Sequence, residues 1–281
     1  MNYLVTGATG GFGTAALKSL QALVPQENIY ALARSAEKAA DLTAAGVNVR
    51  LADYNQPAEL KAAFAGIDRL LFVSGAPGNR QQEHQNVVDA AKAAGVSYIA
   101  YTSFADAQNS VSALAADHAY TEKAIEAAGI PHTFLRNNWY LENELPLIGA
   151  ALQSGEFVHA GGAGKTGWAL RREYAEVGAK AIAGSDYPEI LELSGTPVTY
   201  QTLVTAVEEA TGKTLAVKDA NQKDFEASLV AAGLPAPVAE IFYGFQADIK
   251  AGVLDVTSDD FAKALGRPLT SLAEGVKELL Q

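Results

Sequence analysis

Over its first half the chain alternates short apolar runs with amphipathic, alanine-rich stretches. Tyr3-Leu4-Val5 reads as a buried strand, and Thr14 to Val24 sets its apolar positions at helical spacing. Pro25 breaks that pattern, and Asn28 to Ala33 is a second apolar run that ends at Arg34 and Ser35, where the serine can cap the next helix. Three later segments share one order, an alanine-rich helix, a glycine and an apolar strand: Ala44-Ala45-Gly46-Val47, Ala93-Ala94-Gly95-Val96 and Ala127-Ala128-Gly129-Ile130. Glycine in the left-handed conformation stops each helix. With Val47 to Ala52, Asp68 to Val73 and a run ending in Tyr101-Thr102-Ser103-Phe104, the order through Leu135 is strand, helix, strand, helix. Such alternation predicts an α/β fold whose parallel sheet is covered on both faces.

Beyond Arg136 the rhythm changes. A polar-aromatic loop, Asn137 to Glu144, precedes a helix, a short strand near Phe157 and the glycine-rich Gly161-Gly162-Ala163-Gly164-Lys165, a region expected to leave the sheet. Glu173 to Gly184 reads as a helix and Ile190 to Leu193 as a strand returning to the sheet edge. Tyr200 to Gln281 is mostly amphipathic helix, interrupted at Gly233-Leu234-Pro235 and Gly266-Arg267-Pro268. The expected organisation is a core over residues 1–150, rejoined by 173–195. A smaller, mostly helical lobe over 196–281, with 151–172 contributing, supplies the other wall of a pocket at the sheet's carboxyl edge.

The first turn carries the most specific chemistry. Thr6-Gly7-Ala8-Thr9-Gly10-Gly11-Phe12-Gly13 follows a strand and opens a helix. Glycines at 7, 10 and 13 allow a sharp turn, a close ligand approach and tight helix packing, while the helix's free N–H groups face an anion. This is the fingerprint of a Rossmann-type doubly wound sheet that binds a dinucleotide. Where such folds place an acid for the ribose 2′-hydroxyl, this chain has Arg34, a guanidinium suited to a 2′-phosphate. The expected cofactor is therefore NADP(H). Asp53, at the end of the third strand, is either an acceptor for an exocyclic amine such as adenine's or a turn residue.

Composition narrows the partners. The 281 residues hold 21 Lys and Arg against 32 Asp and Glu, and the net charge of −11 opposes binding to nucleic acid or an anionic membrane. Without cysteine there is no disulfide, thiolate ligand or thiol nucleophile, so a redox role needs a bound cofactor. His84, His118, His132 and His159 lack metal-ligand spacing, and no metal is expected. No apolar run approaches the ~20 residues of a membrane span, and the first strand follows Met1 directly, so the expectation is a cytoplasmic protein.

Several further stretches carry a family resemblance: Ala52-Asp53-Tyr54, Tyr98 to Ser103, Thr121-Glu122-Lys123, Leu135-Arg136-Asn137-Asn138-Trp139-Tyr140 and Gly266-Arg267-Pro268, together with the glycines and Arg34. Over nearly its whole length the chain resembles the atypical short-chain dehydrogenases of the NmrA-like kind, and within them bacterial NADPH-dependent quinone reductases. The resemblance implies NADP contacts at Gly7 to Phe12, at Arg34 and at the Ser74-Gly75-Ala76-Pro77-Gly78 loop. It implies further contacts at Asn137, Asn138, Trp139, Tyr140, Leu141 and Glu142, and at Ala169, Leu170, Arg171, Arg172, Glu173 and Tyr174. One departure is visible: Asn138 stands where the quinone reductases look to have glycine, a position where asparagine tolerates positive φ.

Ordinary short-chain dehydrogenases are known for a Tyr-x-x-x-Lys pair, and this chain lacks it. Tyr120 precedes Lys123 by three residues, which turns it about 100° from the needed face. The absence has a chemical reading. Reducing a simple ketone gives an alkoxide about as basic as hydroxide (water pKa ~15.7), which demands a positioned acid. Hydride addition to a quinone leaves a phenolate-like anion with a pKa of about 10, which water can protonate late.

Lys123 is the candidate for steadying the developing oxyanion, against a solvated lysine paired with Glu126. Phe104, Trp139 and Tyr140 form a candidate aromatic wall for a planar acceptor, against plain core packing. Gly162-Ala163-Gly164-Lys165-Thr166 falls short of a phosphate-loop pattern and reads as a flexible loop near the pocket. The expected function is hydride transfer from NADPH to a quinone or similar conjugated acceptor; reduction of bulky dyes or other xenobiotics in the same site is a separate possibility that differs only in pocket shape. The alternative is a non-catalytic NADP(H)-binding redox sensor of the NmrA-like type.

Overall fold

The computed structural model describes residues 1–281, which divide into two compact units. The first comprises residues 1–137, 171–193 and 263–265. The second comprises 138–170, 194–262 and 266–281, so residues 138–150 belong to it and not to the core expected over 1–150.

Seven parallel strands build the first unit: β1 (Tyr3–Val5), β2 (Ile29–Ala33), β3 (Asn48–Leu51), β4 (Arg69–Phe72), β5 (Tyr98–Phe104), β6 (His132–Asn137) and, after an excursion, a last strand at Ile190–Leu193. Their spatial order is β3-β2-β1-β4-β5-β6 and then that last strand. All neighbours pair in parallel, as in Val5 opposite both Ala31 and Leu71. Strands buried on both faces are continuous apolar runs, and β1 and β4 are such runs, with Leu4, Val5, Leu70, Leu71 and Phe72 buried. The crossovers are α1 (Gly11–Gln21), α2 (Ala40–Ala44), α3 (Pro57–Ala63), α4 (Arg80–Ala94) and α5 (Ala113–Ala128). Gly46, Gly95 and Gly129 end their helices at φ of 76°, 74° and 71°. Ser35 does not cap α2; its hydroxyl accepts from Lys38 N within a turn that delays the helix to Ala40.

Because order reverses at β1, the chain leaves β1 toward β2 on one side and returns to β4 on the other. Ligands of open parallel sheets bind outside the carboxyl ends of the strands at such a switch point. The loops after β1 and β4 flank it.

In the second unit α6 (Leu145–Ser154) leads into β7 (Glu156–His159). The chain then gives α7 (Arg171–Ala183) and β8 (Ile190–Leu193) to the first unit, β8 being the sheet's last strand. It returns as α8 (Tyr200–Thr211), β9 (Ala216–Asp219), α9 (Gln222–Ala231) and α10 (Ala236–Lys250), and later α12 (Leu272–Leu279) follows α11 (Asp260–Leu265). β9 pairs in parallel with β7, a strand where the sequence reads as helix. Its side chains are largely exposed, so no buried periodicity marks it. The Gly161–Lys165 segment is not a loose loop. A Cβ on Gly164 would come within 2.0 Å of the Ile249 carbonyl oxygen and one on Gly161 within 2.8 Å of the Tyr200 ring, so these glycines let the turn pack on α10 and α8.

Candidate active site

The sheet's carboxyl edge is built around the first glycine turn. Gly7 takes a φ of 58°, and Gly10 N donates to Gly7 O at 3.0 Å to close the turn. Gly13 lies against it so closely that a Cβ would stand 2.2 Å from Gly7 O. Gly7, Thr9, Gly10 and Gly11 are exposed, whereas Ala8, Phe12 and Gly13 are buried and anchor the turn. No side chain caps the N-terminus of α1. Gly11 faces Arg171, the first residue of α7, whose Nη1 lies 2.8 Å from where a Cβ would be. A guanidinium thus stands over the amide-rich end of α1. Arg34 is exposed just past β2.

Asp53 serves its own turn: one carboxylate oxygen accepts from Asn55 N at 2.8 Å and from Asn55 Nδ2 at 3.2 Å. The neighbouring Tyr54 hydroxyl donates to Val73 O at 3.1 Å, tying this edge to the loop after β4. In that loop Ser74 N donates to the Thr102 hydroxyl at 2.8 Å. Arg80 Nε donates to Gly75 O and Gly75 N donates to His84 Nε2, at 2.9 and 3.0 Å. His84 therefore holds its proton on Nδ1, toward Thr121 at 2.8 Å. Burial, with His118 and Arg80 nearby, pushes the His84 imidazole down to about 3. Burial and Arg80 push His118 equally low. Both rings are neutral struts at ordinary pH. Arg80 and His84 were missed in the sequence, although four-residue spacing at the start of the helix after the Ser74 loop puts them on one face.

At the end of β5 the Ser103 hydroxyl donates to buried Glu122 at 2.6 Å. Arg136 Nε and Nη2 clasp the same carboxylate at 2.9 and 2.8 Å, and Arg136 Nη1 donates to Glu192 at 3.0 Å. The Glu122 hydrogen bonds hold the Arg136 guanidinium above its usual value, against burial. Lys123, one step round α5 from Glu122, is exposed and joins none of this network. Tyr120 is also exposed, its hydroxyl donating to Gln85 at 3.1 Å.

Phe104 is buried, stacked on His118 with ring centroids 6.1 Å apart. Trp139 is buried too, edge-on to Phe245 at 5.0 Å. Of the three aromatic-wall candidates only Tyr140 keeps appreciable surface. Asn138 does not use positive φ; its side chain turns inward and Nδ2 donates to Ser194 Oγ at 3.1 Å and Leu254 O at 3.0 Å. Tyr140 bridges Ala169 in parallel, with Leu141 N donating to Ala169 O at 2.8 Å. The 138–142 and 169–170 stretches therefore run side by side within the second unit.

Beneath them lies Glu144, which sequence reading passed over. Its carboxylate accepts from Trp139 Nε1 at 3.1 Å, Trp168 Nε1 at 3.0 Å and the Tyr200 hydroxyl at 3.2 Å. Burial pushes this carboxyl up to about 7, against the pull of those three donors. Burial and the facing Glu144 push the Tyr200 phenol far above its usual value.

Residues 7–163 match the NAD(P)H-binding family. The chain is a member of this NmrA-like family. It is 39% identical to quinone oxidoreductase 2 of Escherichia coli over 278 residues, 98% of this chain and 97% of that protein. The crystal structure of the E. coli NADPH-dependent quinone oxidoreductase complexed with NADPH superposes with a TM-score of 0.92 at 38% identity, over 99% of this chain and all of that one. Citrobacter sp. triphenylmethane reductase gives a TM-score of 0.95 at 38% identity, over all of this chain and 99% of that one. The Rossmann-type sheet and NAD(P)H binding are thereby established for the family member described here. No helix is long and apolar enough to cross a membrane.

Proposed function

We propose that this family member is an NADPH-dependent reductase that delivers hydride to a quinone or a similarly conjugated acceptor. The near-full-length likeness to the E. coli quinone oxidoreductase, at 39% identity, carries the reading. Its residues fit the cofactor: the exposed glycine turn leaves room where a Cβ would intrude, α1 presents uncapped amides, and Arg34 offers a fork to a 2′-phosphate. Bound there, a reduced nicotinamide supplies hydride to the acceptor. Gly7 to Gly13 and Arg171 hold the anionic part, and the Ser74-Gly75 loop is kept in place by Thr102, Arg80 and His84.

The surroundings of Ser103 support an acceptor that needs no protein acid. The Ser103 hydroxyl donates its hydrogen bond to Glu122, and Lys123 and Tyr120 are turned to solvent. A phenolate-like product with a pKa of about 10 tolerates that arrangement, and an alkoxide does not. A second reading has equal sequence support, because the triphenylmethane reductase is also 38% identical. Hydride addition to a cationic dye carbon leaves no oxyanion at all.

Purified protein assayed for NADPH and NADH oxidation against quinones and triphenylmethane dyes tests the proposal. Saturable turnover with NADPH above NADH is expected. Arg34→Ala should raise the KM for NADPH about 10- to 100-fold, as loss of a charge-assisted contact does, and leave NADH kinetics alone. Unchanged cofactor preference would sink the assignment of Arg34. Tight NADPH binding without turnover on any acceptor would favour a redox sensor. The site is expected to work in the cytoplasm, on small molecules.

A further inference from the structure

The two tryptophans of the chain, Trp139 and Trp168, donate to one carboxylate. Both belong to stretches that the family likeness implicates in binding: Trp139 lies within the one over 137–142, and Trp168 directly precedes the one that starts at Ala169. The backbones of those stretches are already joined at Tyr140 and Ala169. Glu144 reaches both from the turn that follows, with Tyr200 of α8 closing the third side. We propose that Glu144 is a positioning residue, a carboxylate staple that locks the Trp139-Tyr140 and Trp168-Ala169 stretches into one rigid platform, the part of the second unit to which the family likeness assigns ligand contacts.

The geometry suits fastening. Indole N–H groups only donate, so Trp139 and Trp168 each need an acceptor once buried, and Glu144 meets both needs at 3.1 and 3.0 Å. The Gln246 amide of α10 donates to the Tyr200 hydroxyl and leaves the phenolic proton for Glu144. Gln246 also accepts from Ala160 N, which fixes Tyr200 from behind. No cation faces the carboxylate. The titratable side chain bonded to it is the Tyr200 phenol, which stays protonated. Behind that ring His159 of β7 stacks on Tyr200 at 4.8 Å, with Asp219 of β9 at 3.8 Å beyond. The turn, β7 and α8 also carry Glu142, Glu156, Glu208 and Glu209, none of which hydrogen-bonds to Glu144. An exposed or mobile carboxyl would leave both indoles free to turn. This one is 2% exposed.

The platform's role rests on the reductase reading, whereas the staple itself is testable without a cofactor. Tryptophan emission of the cofactor-free protein should titrate in one step near neutral pH and become flat with pH in Glu144→Gln. Trp168→Phe removes one donor to the anion and should move the midpoint of the remaining Trp139 signal upward by about one pH unit. In a folded Glu144→Ala protein, verified by circular dichroism, the expected result is a red-shifted emission and a Kd for NADPH by calorimetry raised at least tenfold. Glu144→Gln, which keeps one acceptor oxygen, should recover part of that affinity. Emission that titrates as in the native protein after Glu144→Gln would overturn the staple. A native NADPH affinity in folded Glu144→Ala with altered emission would overturn the platform. Absence of turnover in the native protein, with both of these effects present, would count against the reductase reading alone.

Discussion

Two carboxylates are buried to the same degree in the two units and are kept there by opposite means. Glu122 faces a guanidinium that clasps it through two nitrogens, with Ser103 as a further donor. Glu144 faces two indoles and a phenol, and no positive charge. The guanidinium gives Glu122 a counter-charge in the interior, although taking two charges out of water offsets much of their attraction. Neutral donors only partly replace water around Glu144, and its pKa climbs to about 7. Burial alone therefore does not set the charge of an interior acid. What faces it does.

The largest effect should come from removing the cation. Arg136→Met leaves Glu122 buried without its partner and is expected to cost about 3–5 kcal/mol in urea unfolding, whereas Glu122→Met with Arg136→Met should recover most of it. A double variant as unstable as the single one would mean that the pair does more than neutralise itself.

The next effect is in pH. Glu144 in the folded chain keeps a proton that the unfolded chain has lost, so its contribution to stability is present below about 4.5 and falls away as pH rises to about 7. His84 and His118 run the other way. Both stay neutral in the fold while the unfolded chain takes up protons below 6.5, so their contribution is lost as pH falls from 6.5 toward 3. Relative to the native protein, Glu144→Gln should gain roughly 2–3 kcal/mol between pH 4.5 and 7.5, read by denaturant midpoints at several pH values. A pH-independent difference would show that Glu144 is charged in the fold throughout.

The smallest effect contrasts neighbours on α5. Glu122 points inward and Lys123 outward, so Lys123→Ala should change stability by less than about 0.5 kcal/mol and turnover by less than about twofold. A tenfold loss of turnover would restore Lys123 as a catalytic group.

The first unit was legible because its signals are local. Buried parallel strands are unbroken apolar runs, and glycines stop three of the helices that link them. The second unit hides its polar centre because the partners of Glu144 lie 5, 24 and 56 positions away, with no common period. Glu144 sits in Leu141-Glu142-Asn143-Glu144, which reads as solvated loop until the fold brings Trp168 and Tyr200 to it. Asn138 was misjudged for a similar reason. Its tolerance of positive φ goes unused, and its amide is spent on Ser194 and Leu254 far along the chain.

The excursion between β6 and β8 has a consequence for how the chain emerges during synthesis. α7 packs on α1, and Gly178 of α7 lies against Leu71 and Leu135 of the sheet. Until residue 183 has been made, the part of one sheet face over β4, β5 and β6 and the side of α1 that meets α7 lack their cover, and β6 remains an open edge until β8 arrives. Exposed apolar surface and an unpaired edge are the features by which nascent chains stick to one another. The glycine turn, although first in the sequence, rests on a helix whose own support is translated some 160 residues later, at the usual cost of long-range contacts in folding speed.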